Sequence, residues 1–169
     1  MPLSSQPPAV APADGVAAAL GRIPSGLFIV TWQSQGCDRG MLASWVMQAG
    51  FAPPLVSVAV GTSRDLLEGI RAGGLFAVNV LAESQRSLLA RFGKPPAEGE
   101  DLFAGLALDR TPAGLAVLAE AAGWMECRPV GETAAAGADH ALVLGRVEAA
   151  GGRPDTSPLV HLRRSGLRY

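Results

Sequence analysis

RGMLASWVMQAGFAPPLV, running from Arg39 to Val56, is apolar enough for a core strand, yet it carries a hydroxyl at Ser44, an amide at Gln48 and the pair Pro53-Pro54. Read as one strand, MLASWVMQ places Met41, Ala43, Trp45 and Met47 on one face and Leu42, Ser44, Val46 and Gln48 on the other, because side chains alternate along extended backbone. The two prolines cannot donate to a hydrogen-bond ladder, so they mark a break before a further strand, LVSVAV. Upstream, LFIVTWQ is dense in β-branched and aromatic residues, and the turn-forming group Gly36-Cys37-Asp38-Arg39-Gly40 separates it from MLASWVMQ. That arrangement predicts a hairpin, and three adjacent strands of this composition predict a mainly antiparallel sheet able to curl into a barrel wall.

Working outward, SRDLLEGIRAGG predicts a helix with Ser63 or Asp65 as its cap, Leu66, Leu67 and Ile70 as its apolar stripe and Gly73-Gly74 as its stop. FAVNVL reads as a strand, SQRSLLARF as a short helix and KPPAEGED as a surface loop. After a poorly patterned middle, GWMECRPV, HALVLGRVEAA and PLVHLRR read as strands, giving six or seven strands with short helices in the crossings. At the other end, residues 1–13 hold little to bury and read as a flexible leader, while Asp14 caps a short Ala-rich helix that opens a domain over 14–169. No internal repeat interrupts this plan.

Composition narrows the function classes. The chain has 169 residues, enough for one core, and 14 basic against 15 acidic side chains give a formal charge of −1. Such a balance offers no field for nucleic acid or for an anionic membrane, and neither is expected as a partner. With 49% hydrophobic and only 17% charged residues, some apolar surface is expected to be covered by a second subunit, so a homodimer is expected. Cys37 and Cys127 stand too far apart for a disulfide framework and suit free thiols in the cytoplasm. Two His and two Cys without short spacings predict no structural metal, and no apolar stretch is long enough to cross a bilayer.

Several residues carry chemistry by position. Ser44 on a barrel strand needs a hydrogen-bond partner, either a neighbouring carbonyl or a ligand. Thr62-Ser63-Arg64 follows a strand and precedes a helix, where it serves as a cap or receives an anion such as a phosphate. Asn79 places an amide inside an apolar strand, and a backbone partner is its ordinary satisfaction. His140 follows Asp139 at a strand start, where it is a surface residue, a ligand contact or a proton donor. Trp32, Trp45 and Trp124 fall on apolar strands, where large rings fill cores. Signatures of dinucleotide-binding, P-loop, hydrolase and zincin folds are absent.

Five blocks, LGRIPSGLFIVT, GMLASWVMQAGFAPPLVSVAV, FAVNVLAESQ, WMECRP and ADHALVLGRV, occur in the order found in flavin reductase-like proteins, which the chain resembles from about Leu20 to Tyr169. The resemblance is strongest to the flavin reductase module of cyanobacterial flavodiiron proteins. It implies an antiparallel FMN-binding split β-barrel, a homodimer, that binds FMN (FAD being the alternative) and reduces it with NADH or NADPH for an oxygenase or another electron acceptor. It also implies that the segment Met41, Leu42, Ala43, Ser44 and Trp45 lines the flavin ring, that Thr62, Ser63 and Arg64 form a phosphate turn, and that Asn79 and Gln85 contact the cofactor. His140 matches the His of a Gly-Asp-His block beside the flavin or nicotinamide and is the candidate catalytic residue.

Hydride transfer from nicotinamide to flavin asks for stacking and exclusion of water rather than an acid–base pair, so the lack of a catalytic triad is no obstacle. The chain departs from the family pattern at Arg39, where Asn is frequent, at Thr62, where Lys is common, and at Ala138, where Gly is usual. With the lysine gone, Arg64 alone would balance a phosphate, which predicts an exchangeable flavin. Two alternatives stay open: a flavin module that passes electrons only within a complex, and a flavin-free dimeric interaction domain.

Overall fold

A computed structural model describes residues 13–97 and 99–163. The expected leader lies outside the described residues except for Ala13, which opens the first helix. The chain divides into two units, residues 26–160 and the flanking segments 1–25 and 161–169. In chain order the elements are α1 (Ala13–Gly21), β1 (Ser25–Gly26), β2 (Phe28–Ser34), β3 (Cys37–Ala43), β4 (Val46–Phe51), β5 (Pro54–Gly61), α2 (Asp65–Arg71), β6 (Phe76–Val80), a 3-10 turn (Glu83–Gln85), α3 (Leu88–Phe92), β7 (Leu108–Arg110), β8 (Ala116–Leu118), β9 (Gly123–Thr133), β10 (His140–Gly152) and β11 (Val160–His161).

The large unit is built on a seven-stranded sheet in the order β3-β2-β6-β9-β10-β5-β4, with every neighbouring pair antiparallel. Its two edge strands, β3 and β4, are joined by only Ser44 and Trp45. Three peptide steps span at most about 11 Å, so the ends of the sheet must come together and the sheet must curl. The β4–β5 ladder continues into this link, with the Ala59 N–H donating to the Trp45 carbonyl at 3.0 Å. This is a split barrel: the strand composition predicts the antiparallel barrel, and the family resemblance implies its split form.

MLASWVMQ, residues 41–48, is therefore not one strand. Its apolar composition continues through Ser44-Trp45, but the backbone leaves one edge of the sheet and joins the other, so the predicted alternation of Ser44 with Gln48 does not hold. Ser44 is buried at 4% exposure, whereas Gln48 is exposed. The first hairpin turns on Gln35-Gly36 alone, both with positive φ (51° and 75°), and Cys37 already belongs to β3. Two positive-φ residues match the twist of the flanking strands, which makes the turn tighter than the predicted five-residue group.

Inside the barrel, Phe28, Val30 and Trp32 of β2 meet Met41 and Ala43 of β3, Val56, Val58 and Val60 of β5, and Leu66, Leu67 and Ile70 of α2. The predicted helical stripe thus plugs one end of the barrel, although its N-cap position is Arg64 and no side chain caps it. The other face of β2 is also buried: Leu27 and Ile29 pack with Leu88, Phe92, Leu102, Phe103 and Leu118. A strand buried on both faces reads as a continuous apolar run, as LFIVTWQ does. The predicted helix SQRSLLARF is divided into the 3-10 turn and α3, and PLVHLRR contributes only the two residues of β11. The β7–β8 hairpin lies in the stretch that shows no pattern in sequence.

Candidate functional site

Two neighbouring features occupy the end of the barrel where β5 runs into α2. The first is an open cleft of about 1140 Å³, lined by Arg39, Gly40 and Met41 of β3, by Ser63, Arg64 and Asp65 after β5, by Trp32 of β2, and by the loop around Pro95–Gly105. Its volume is somewhat above the roughly 300 to 1,000 Å³ that small-molecule sites enclose, as suits a cleft open to solvent. The second is a cluster that begins one residue earlier, at Thr62. The Thr62 N–H and the Thr62 Oγ1 hydroxyl both donate to the Asp139 carbonyl, at 2.9 and 3.2 Å. The next residue, His140, sits opposite Gly61 in the β5–β10 register. Its imidazole lies 2.9 Å from the Asp139 carboxylate through Nδ1 and meets the Trp45 indole edge on, with ring centroids 4.8 Å apart. The imidazole holds the Asp139 carboxyl below the ordinary aspartate range, first by this hydrogen bond and then by charge.

The structure therefore brings together residues from separate parts of the sequence: Met41, Ser63 and Arg64 on the cleft, and Trp45, Thr62 and His140 in the adjoining cluster. Ser44 is buried at the link between β3 and β4, and Ala43 belongs to the barrel core. Leu42 turns the other way, toward the second core.

Asn79 and Gln85 do not join the site through their side chains. Asn79 is 0% exposed; its Nδ2 donates to the Ile29 carbonyl at 2.9 Å and its Oδ1 accepts from the Leu118 N–H at 2.8 Å. The amide is satisfied by backbone on both sides, the ordinary partner for such a group, since an unpaired polar group in that core would cost about 1 to 3 kcal/mol. Gln85 uses its Oε1 to accept from the Ala82 N–H at 3.0 Å, which holds the start of the 3-10 turn.

Two donors on the cleft wall are unaccounted for. The indole Nε1 of Trp32 and the Nε of Arg39 are buried and have no hydrogen-bond partner. These residues face each other across the β2–β3 ladder. Sequence reading treats Arg39 only as a departure and Trp32 only as core. The two-residue turn at Gln35-Gly36 is the signal that pairs them, since it fixes the register. Unmatched buried donors beside an open cleft, a free guanidinium at Arg64 and hydroxyls at Ser63 make a chemically sound seat for an anionic group. Among the described residues no cluster of His, Cys, Asp and Glu could hold a metal ion, and no helix is long and apolar enough to cross a membrane.

The fold is a split β-barrel with an open cleft beside an aromatic–imidazole pair. The flavin reductase like domain family matches residues 20–167, and the chain belongs to that family. Diflavin flavoprotein A 1 of Synechocystis is 35% identical over 157 residues, 89% of this chain and 26% of that protein. The chain spans about a quarter of the length of the curated relatives it matches. Among solved structures, the NADH:FAD oxidoreductase SgcE6 of Streptomyces globisporus has a TM-score of 0.77 at 28% identity, covering 88% of this chain and 86% of its own. The styrene monooxygenase flavin reductase of Pseudomonas putida S12 gives 0.74 at 28% identity, covering 90% and 93%.

Proposed function

We propose that this chain is an NAD(P)H:flavin oxidoreductase that binds FMN or FAD and passes a hydride from nicotinamide to the flavin for a downstream acceptor. The observation that carries this reading is the convergence at the β5–α2 turn. Thr62 is bonded to Asp139 beside His140, and the next two residues, Ser63 and Arg64, line the cleft. A ligand with a flat ring at one end and a phosphate at the other fits such a divided site. Trp45 and His140 would hold the ring and exclude water from it, while Ser63 and Arg64 would hold the phosphate by charge-assisted bonds. When bound, the flavin would supply the hydride acceptor, and the residues of this chain would orient it, with His140 fixed by Asp139 beside Trp45.

A homodimer suits the surface. Met47 and Phe51 of edge strand β4 are 69% and 88% exposed, and Trp45, Val130 and Leu142 add further exposed apolar area. Free thiols at Cys37 and Cys127 fit a reducing compartment such as the cytoplasm. A second reading, an electron-transfer module working inside a complex, draws on the relatives being about four times longer than the aligned region.

The visible spectrum of the purified protein, followed by NADH or NADPH oxidation with added FMN or FAD, tests these readings. Flavin binding with turnover supports the reductase, flavin binding without turnover supports the module, and no flavin binding removes both.

A further inference from the structure

We propose that Arg39 is a phosphate-binding residue, which with Arg64 clamps a phosphate group carried by the flavin or by the nicotinamide dinucleotide. The identity of the ligand rests on the oxidoreductase reading; the clamp itself rests on the cleft. The Thr62 hydroxyl is already committed to the Asp139 carbonyl, so the turn Thr62-Ser63-Arg64 offers only Arg64 as a cation. Arg39 lines the same cleft from β3. Its Nε is buried without a partner, and among the described residues its guanidinium has neither a hydrogen bond nor an ion pair.

The acids that share the cleft are mostly engaged elsewhere. Asp38 is held by Arg110 at 2.7 Å, Glu100 accepts from the Ala97 N–H at 2.8 Å, and Asp101 accepts from the Phe103 N–H at 2.8 Å. Asp65 is exposed and screened by water. A planar guanidinium with a buried, unmatched N–H presents a fork that fits two oxygens of a phosphate, and bonds to an anion are about twice as strong as bonds to the neutral acceptors of a ring. Arg39 thus adds, from another strand, a second positive charge to that of Arg64, and it makes the site discriminate phosphorylated from unphosphorylated ligands.

The test compares Arg39→Gln and Arg39→Lys with the wild type in three titrations: FMN against riboflavin by flavin fluorescence, NADPH against NADH by KM, and inorganic pyrophosphate by its effect on the melting temperature. For the flavin source, Arg39→Gln is expected to weaken FMN roughly tenfold or more and leave riboflavin unchanged. For the dinucleotide source, the same loss falls on NADPH relative to NADH. In either case pyrophosphate raises the melting temperature of the wild type and not of Arg39→Gln. Arg39→Lys keeps part of the effect, as a point charge without the fork, and carries the test if the Gln variant does not fold.

Equal behaviour of all three proteins toward FMN, NADPH and pyrophosphate overturns the clamp. If the wild type binds no flavin but is still stabilised by pyrophosphate through Arg39, the oxidoreductase reading falls and the clamp stands.

Discussion

Trp45 and His140 meet edge to face at 61° with their ring centres 4.8 Å apart, across the seam where the two ends of the sheet come together. Trp45 stands in the two-residue link that closes the barrel, and His140 opens β10, so the contact joins residues 95 positions apart. His140 is thereby oriented twice, by the indole and by the Asp139 carboxylate. An aromatic pair of this kind adds about 0.5 to 1.5 kcal/mol beyond its buried area, so the pair contributes little to global stability.

His140→Ala is therefore expected to lower kcat/KM for the nicotinamide substrate about tenfold at saturating flavin, the size of one lost hydrogen bond involving a charged or polar partner. Its melting temperature should stay close to that of the wild type. Steady-state oxidation of NADH and NADPH with thermal melts of both proteins makes the comparison. Unchanged kinetics would remove His140 from the site.

Asn79→Ala has the opposite signature. It leaves the Ile29 carbonyl and the Leu118 N–H without their partner in a fully buried position. The expected cost is roughly 2 to 5 kcal/mol, the penalty for two orphaned groups. Urea unfolding measures it, and the folded variant should bind flavin as the wild type does. A stable variant with weakened flavin binding would return Asn79 to the site.

These two residues show what the chain discloses by itself. The hairpins, the apolar stripe of α2 and the antiparallel sheet rest on local signals: Gly36, Pro53-Pro54, and apolar residues at helical or alternate spacing. The break at Ser44-Trp45 has no local signal, because a strand that changes edges keeps its apolar composition while its neighbours change. Asn79 is satisfied by residues 50 and 39 positions away, a pairing that only the tertiary fold creates. Arg39 lies between these cases, for once Gln35 is admitted to the turn, the ladder register alone sets it opposite Trp32.

Cys37 and Cys127 should react very differently with thiol reagents. Cys37 is exposed, whereas Cys127 is fully buried, and burial, with Glu126 and Glu148 adding to it, pushes the Cys127 thiol up to about 12. The thiolate is the reactive form, so Cys127 is inert in the folded protein. Titration with a chromogenic disulfide at pH 8 is expected to find one thiol per chain in buffer and two in denaturant. Two fast-reacting thiols in buffer would contradict the packing of β9 against β6 and β10.

The last expectation concerns acid stability. Arg128 and Arg146 both donate to Glu148 Oε1 at 2.8 Å, which joins strands β9 and β10 and holds the Glu148 carboxyl at about 2, against an ordinary value of 4.5. Because the folded state releases this proton more readily, the unfolded chain binds more protons at intermediate pH, and the contribution to stability is complete above the ordinary value and lost as pH falls toward 2. The difference in melting temperature between the wild type and Glu148→Gln should therefore be constant from pH 7 down to about pH 5 and shrink steadily below it. Both guanidinium groups are about half exposed, at 48% and 46%, so added salt should reduce the same difference at neutral pH. A difference that persists unchanged at pH 2.5, or one indifferent to salt, would mean that Glu148 acts through packing rather than through its charge.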